Sequence, residues 1–136
     1  ASEQRIAQKV APLLQLAGSE GAWARDLARD SAEGEALMRT TLARLAQQGE
    51  VHQVVKDLYY DLAQMRTLAG IARRLARQGE GQVQAADFRD ATGLGRKRAI
   101  QLLEYFDRVG LLRRVGDVHR LRGESALFLD EGRADA

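Results

Sequence analysis

Three cations in a row, Arg96, Lys97 and Arg98, follow directly on Gly93-Leu94-Gly95 and open a stretch with helical periodicity. A helix start is the positive end of the dipole, where Asp or Glu is favoured and an exposed cation is opposed by roughly 0.3–1 kcal/mol. A phosphate reverses that sign, because free backbone N–H groups, the dipole and the cations all attract it. The chemistry these residues suit is anion binding, and the two glycines would let a backbone come close. The following stretch, "LLRRVGDVHRLR", reads as a hairpin with Gly116-Asp117 as a two-residue turn. In that register Arg113 faces Arg120 and Arg114 faces His119, and like charges placed opposite one another destabilise a sheet. An anion between helix and hairpin would relieve both conflicts. From Arg89 to Arg122 there are 9 basic and 4 acidic side chains, a net charge of +5.

Other chemistries fit the residues poorly. "GLGRKR" is not a Walker A loop, since G-x-x-x-x-G-K-[ST] is absent and the segment follows a helix rather than a strand. His52 and His119 each stand alone in a strand without ligand spacing, and read as surface or edge residues rather than metal ligands. Asp87 with Asp90, and Glu104 with Asp107, are i,i+3 carboxylate pairs that helix solubility and capping explain better than acid–base catalysis. The chain has no cysteine, which excludes disulfides, zinc thiolates and thiol nucleophiles. Neither enzymatic activity nor a cofactor is expected.

The elements that must hold these residues occur twice. An ungapped offset of 61 sets Asp26 on Asp87, Leu27 on Phe88, Leu42 on Leu103, Leu45 on Phe106 and Gly49 on Gly110. Upstream it sets Val10 and Leu14 on Ile71 and Leu75. Each copy of about 60 residues reads as a helix (2–16 and 63–77), a short helix (24–30 and 85–91) and a third helix after a tight turn (33–48 and 96–109). Gly49 and Gly110 stop the third helices, and a hairpin closes each unit. Helix, helix–turn–helix and hairpin make a winged helix. The expected fold is mainly α with small β-hairpins, as two tandem winged-helix domains, residues 1–61 and 62–136. The short connection implies semi-rigid coupling. In the last third helix Ala99, Leu102, Leu103 and Phe106 form the buried stripe. Lys97, Gln101, Glu104 and Arg108 then form the outer spine, with Arg96 and Arg98 flanking its start and Tyr105 at its edge. The first copy is the internal control: its spine is Ala36, Thr40, Ala43 and Gln47, and Glu35 stands in place of Arg96. Trp23 is expected to anchor the first core, with a partner surface as the alternative. Leu127–Leu129 is expected to dock, and the last residues to fray.

Charge divides the same way. Residues 1–61 carry 7 basic and 9 acidic side chains, net −2, and residues 62–136 carry 14 and 10, net +4. No apolar run approaches the roughly 20 residues that span a membrane, and "ASEQRIAQKV" lacks the apolar core of a signal peptide. A cytoplasmic, monomeric chain is expected.

The segment "AADFRDATGLGRKRAIQLLEYFDRVGLLRRVGDVHRLR" closely resembles the last winged helix of bacterial selenocysteine-specific elongation factors of the SelB type, and "WARDLARDSA" and "VVKDLYY" resemble the module before it. The resemblance implies a larger protein, an elongation-factor-like GTPase followed by four winged helices, of which this chain is the last two. It also implies partners: a messenger RNA hairpin bound by the terminal module, and the ribosome and selenocysteyl-tRNA engaged through the rest of the factor during UGA recoding. The first module would be a spacer and relay. On the matching positions the RNA-binding residues are Arg96, Lys97, Arg98, Gln101 and Arg108 of the helix and Arg113, Arg114, His119 and Arg120 of the wing. Hairpin RNA is read at unpaired bases because the A-form major groove is too narrow, and Arg113 or Arg120 could stack on such a base. Two other readings compete. A DNA-binding winged-helix regulator would put the third helix in the major groove. A protein-interaction module would suit the neutral first copy better than the second.

Overall fold

The structure, a computed structural model, describes residues 2–122; the expected docking of Leu127–Leu129 falls outside them. The chain divides into two compact units, residues 1–64 and 65–136. The first contains α1 (Ser2–Ala17), a single 3₁₀ turn (Gly18–Glu20), β1 (Ala22–Trp23), α2 (Ala24–Ser31), α3 (Glu35–Gln47), β2 (Val51–Val55) and β3 (Leu58–Asp61). The chain continues through α4 (Leu62–Gln78), β4 (Gln82–Val83), α5 (Ala85–Thr92), α6 (Arg96–Val109), β5 (Leu112–Val115) and β6 (Val118–Leu121). The expected helix–turn–helix and hairpin are present in both. The hairpins are not two-stranded, however. Short strands β1 and β4 add to β3 and β6, giving antiparallel sheets of order β1-β3-β2 and β4-β6-β5. Two-residue strands lie below what periodicity reveals, so the sequence carries no signal for them.

The first core is built as its spacing requires. Ile6, Val10 and Leu14 of α1 recur at helical period and are buried against Leu27, Met38, Leu42 and Leu45 of the helix–turn–helix and Tyr59 of the sheet. In α4 the buried stripe is Met65, Leu68, Ala69, Ala72 and Ala76. Ile71 and Leu75 are only half-buried, so their expected equivalence to Val10 and Leu14 does not hold. The true partners are Ala72 and Ala76, an offset of 62. The first copy is one residue longer between this helix and the sheet, eight residues from Leu14 to Ala22 against seven from Ala76 to Val83, which restores 61 through the helix–turn–helix. A second adjustment follows in the hairpin: β2 carries an irregularity between Gln53 and Val55 that β5 lacks, after which the offset is 60. A β-bulge absorbs one residue with only a local kink.

Trp23 is 39% exposed and does not anchor the core. It pairs with Leu58 on β1 and serves as the extended residue that starts α2, which aims its ring off the inner face. The aromatic residue of that core is Tyr59 instead, and the neighbouring Tyr60, 1% exposed, donates a hydrogen bond from its hydroxyl to Ser19 O at 2.8 Å. Arg5 and Lys9 of α1 clamp Glu33 in the α2–α3 turn, at 2.9 Å and 2.7 Å. These two hydrogen bonds, Arg5 first, hold the Glu33 carboxyl down at about 2.

Candidate nucleic-acid interface

The Gly-Leu-Gly segment positions the start of α6. Gly93 closes α5 at φ 76°, and its N–H donates to Arg89 O at 2.9 Å; only glycine adopts this left-handed geometry without cost. Leu94 between the glycines is buried at 5% exposure and ties the turn to the core. Gly95 is the N-cap and offers no side-chain acceptor, and the first turn has no acid. The amides of that turn therefore depend on water or a ligand. Ala99, Leu102, Leu103 and Phe106 are fully buried, as the periodicity predicts, and Phe106 meets Phe88 edge-on at 6.3 Å.

On the outer face Arg96, Lys97, Glu104 and Arg108 are exposed, and Arg98 and Gln101 are half-buried. Arg98 Nε donates to Gln101 Oε1 at 3.0 Å, so these two act as a braced pair. Tyr105 is not at the edge of the exposed face. Its ring is 8% exposed, burial pushes its phenol up, and the Arg108 guanidinium lies 5.3 Å above it. Arg108, itself exposed, therefore stacks on a buried ring.

The hairpin register is the expected one: Arg113 lies opposite Arg120, and Arg114 opposite His119. Gly116, at φ 63°, opens the turn. Alternation puts Leu112, Arg114, His119 and Leu121 on one face and Arg113 and Arg120 on the other. Arg113, Arg114 and Arg120 are exposed, and Arg114 Nε donates to Gly116 O at 3.0 Å. His119 is neither a surface nor an edge residue. It is 7% exposed in the middle strand, between β4 and β5, and its ring meets Asp107. Asp107 accordingly belongs with His119, not with Glu104. The sequence signal for this pair is weak, because a contact across 12 residues between helix and strand has no local period.

Among the described residues Arg96, Lys97, Arg113 and Arg120 have no ion-pair partner. The first unit contrasts. Ala36, Thr40, Ala43 and Gln47 are exposed and uncharged. Arg39 is held by Asp57 at 3.2 Å and Glu35 at 3.0 Å, and Arg44 faces Glu3 at 3.6 Å. The two arginines of α3 are thus paired within their own unit, whereas Arg96 and Lys97 at the start of α6 are not. No group of three or more His, Cys, Asp or Glu among the described residues could hold a metal ion, and no described helix is long and apolar enough to cross a membrane.

Residues 1–60 match the family described as "Selenocysteine-specific elongation factor, winged helix domain", and residues 76–121 match "Elongation factor SelB, winged helix". A solved structure, the mRNA-binding domain of elongation factor SelB from E. coli in complex with SECIS RNA, is 48% identical with a TM-score of 0.79. This chain covers 96% of that one, and the likeness extends over 88% of its own residues. The chain belongs to the SelB family. Among SelB proteins, the selenocysteine-specific elongation factor of Escherichia coli K12 is 48% identical over 126 residues, 93% of this chain. That of Haemophilus influenzae is 34% identical over 113 residues, 83% of the chain. The chain spans only 20% and 18% of these two relatives' lengths. Both SelB winged-helix matches fall on the helix–turn–helix and hairpin segments described above.

Proposed function

We propose that the chain binds a hairpin in selenoprotein messenger RNA through its second unit, and so tethers a cytoplasmic selenocysteine-specific elongation factor for UGA recoding. GTP hydrolysis and the contacts with selenocysteyl-tRNA and the ribosome belong to the rest of such a factor. The observation that carries the reading is the contrast between the two third helices: α6 opens with Arg96 and Lys97 unpaired and with no side-chain cap, while α3 opens with Glu35 and pairs its arginines internally. Arg96 and Lys97 take backbone phosphates. Arg98 with Gln101, and Arg108, extend that contact along the helix, and Arg113, Arg114 and Arg120 supply the wing. His119, being buried, is left out of the contact set. Sequence discrimination comes from unpaired loop or bulged bases, with Arg113 or Arg120 as the stacking plane. Residues 1–61 are the spacer and relay, and residues 62–136 the RNA-binding module. The likeness to a SelB domain solved with SECIS RNA supports RNA over duplex DNA as the ligand.

Competition binding tests this. The chain is titrated with a bulged RNA hairpin, the same stem without loop or bulge, and double-stranded DNA of equal length. Preference for the bulged hairpin is expected. Equal or tighter binding to DNA would return the chain to the regulator reading.

A further inference from the structure

We propose that Asp107 and His119 are positioning residues for RNA recognition, a buried latch that fixes the angle of the wing against α6. The inference rests on the RNA-binding reading above. His119 Nδ1 lies 3.0 Å from Asp107 Oδ1 and 2.9 Å from Oδ2, with the side chains 9% and 19% exposed. A carboxylate has no proton to give, so Nδ1–H is the donor.

The first unit again supplies the control. Asp107 corresponds to Ala46 at the helix offset of 61. His119 corresponds to Tyr59: His119 lies opposite Arg114 and Val83, as Tyr59 lies opposite Gln53 and Ala22. Tyr59 is part of the first apolar core, and Ala46 packs against that core. The same junction is thus closed by apolar packing in one unit and by an acid and an imidazole in the other. A buried polar pair of this kind is weak evidence for stability, since apolar residues of similar volume often do as well or better. What it adds is direction. A hydrogen bond fixes distance and angle, whereas apolar attraction is non-directional.

Direction matters because of where the latch sits. Asp107 is eleven residues beyond Arg96 in α6, roughly 16 Å of helix rise. His119 neighbours Arg120 on β6 and faces Arg114 across the hairpin. The helix-start cations and the wing cations must meet one phosphate chain at the same time. A small rotation at the latch would change the span between the two groups without unfolding either.

The test uses the 136-residue chain and the SECIS RNA of the E. coli complex at fixed salt. Failure of the unaltered chain to bind any RNA hairpin would remove the functional reading itself. If it binds, the double replacement Asp107→Ala with His119→Tyr installs the first unit's pair. Cooperative unfolding is expected to persist while affinity falls about tenfold, the scale of coupling between residues in contact. Asp107→Asn keeps an acceptor and should recover most of the loss. Combined with Arg113→Ala, the latch replacement should cost less than the product of the separate losses. Combined with Lys97→Ala, the losses should multiply. If the double variant does not fold, Asp107→Ala alone carries the same cycle. A folded variant that binds as the unaltered chain does, or losses that multiply equally with Arg113→Ala and Lys97→Ala, would overturn the latch and leave the RNA reading intact.

Discussion

Arg96 and Glu35 occupy the same place in two helices and carry opposite charge. At Glu35 the dipole and the charge agree, and Arg39 completes a local pair. At Arg96 and Lys97 they disagree, and among the described residues no carboxylate compensates them. A free chain therefore bears a small electrostatic cost that a bound phosphate removes. Replacing Lys97 by Ala should leave thermal stability unchanged or raise it by up to about 1 kcal/mol. Hairpin affinity should fall, and the slope of log affinity against log salt should shrink by about one unit. Parallel melts and salt titrations read both. A destabilised variant with undiminished binding would make the cations structural. At this scale the sequence was legible where a helical period decides the face, as at Leu102, Leu103 and Phe106. It was illegible where the deciding contact is non-local. Asp107 follows Glu104 by one helical turn, and only the fold brings His119 to it. Trp23 reads as a core anchor by its size, but an N-cap position on a two-residue strand turns it outward.

Among the elements, α1 is tied to the α2–α3 turn through a carboxylate held at about 2, against an ordinary value near 4.5. A lowered folded-state value contributes stability that is fully present above the unfolded value and is lost as pH falls through the folded one. The first unit should therefore lose this contribution between about pH 4.5 and pH 2. Glu33→Gln should lower stability at neutral pH and flatten the acid limb of a pH series of thermal melts. The position equivalent to Glu33 is Leu94, buried and apolar, so the equivalent limb should be missing from the second unit. Retention of the full acid limb in Glu33→Gln would place the lost protons elsewhere. The order of these elements was readable from glycine stops and apolar period. The strands β1 and β4 were not, because two residues cannot display an alternation.

For the whole molecule, two copies of one fold carry unequal charge, and the proposed labour divides accordingly. If the second unit neutralises four to six phosphates, log affinity should fall against log salt with a slope of about −3 to −5. Thr40→Glu combined with Gln47→Glu places two acids on the exposed face of α3 and should leave hairpin affinity within about twofold, since screened charges outside the contact contribute little. Loss of binding by that folded variant would mean that the first unit holds RNA as well. The duplication was legible from one offset, and its two slips were not. Ala72 and Ala76 are too small to outweigh Ile71 and Leu75 in an apolar pattern, and a bulge does not register in composition.

Those slips mark where the copies can be cut and rejoined. From β1 through Gln53 and Arg114 the correspondence holds at an unbroken offset of 61, and the first copy is one residue longer on either side of that block. Crossover chimeras with both joints inside this block keep every inward side chain inward. A joint placed in α1, or beyond Val54, shifts the reading frame of the fold by one residue and, in a strand, exchanges its inner and outer faces. The transplantable cassette is therefore the helix–turn–helix with the first hairpin strand, and the returning strand must travel with its own bulge or its own lack of one.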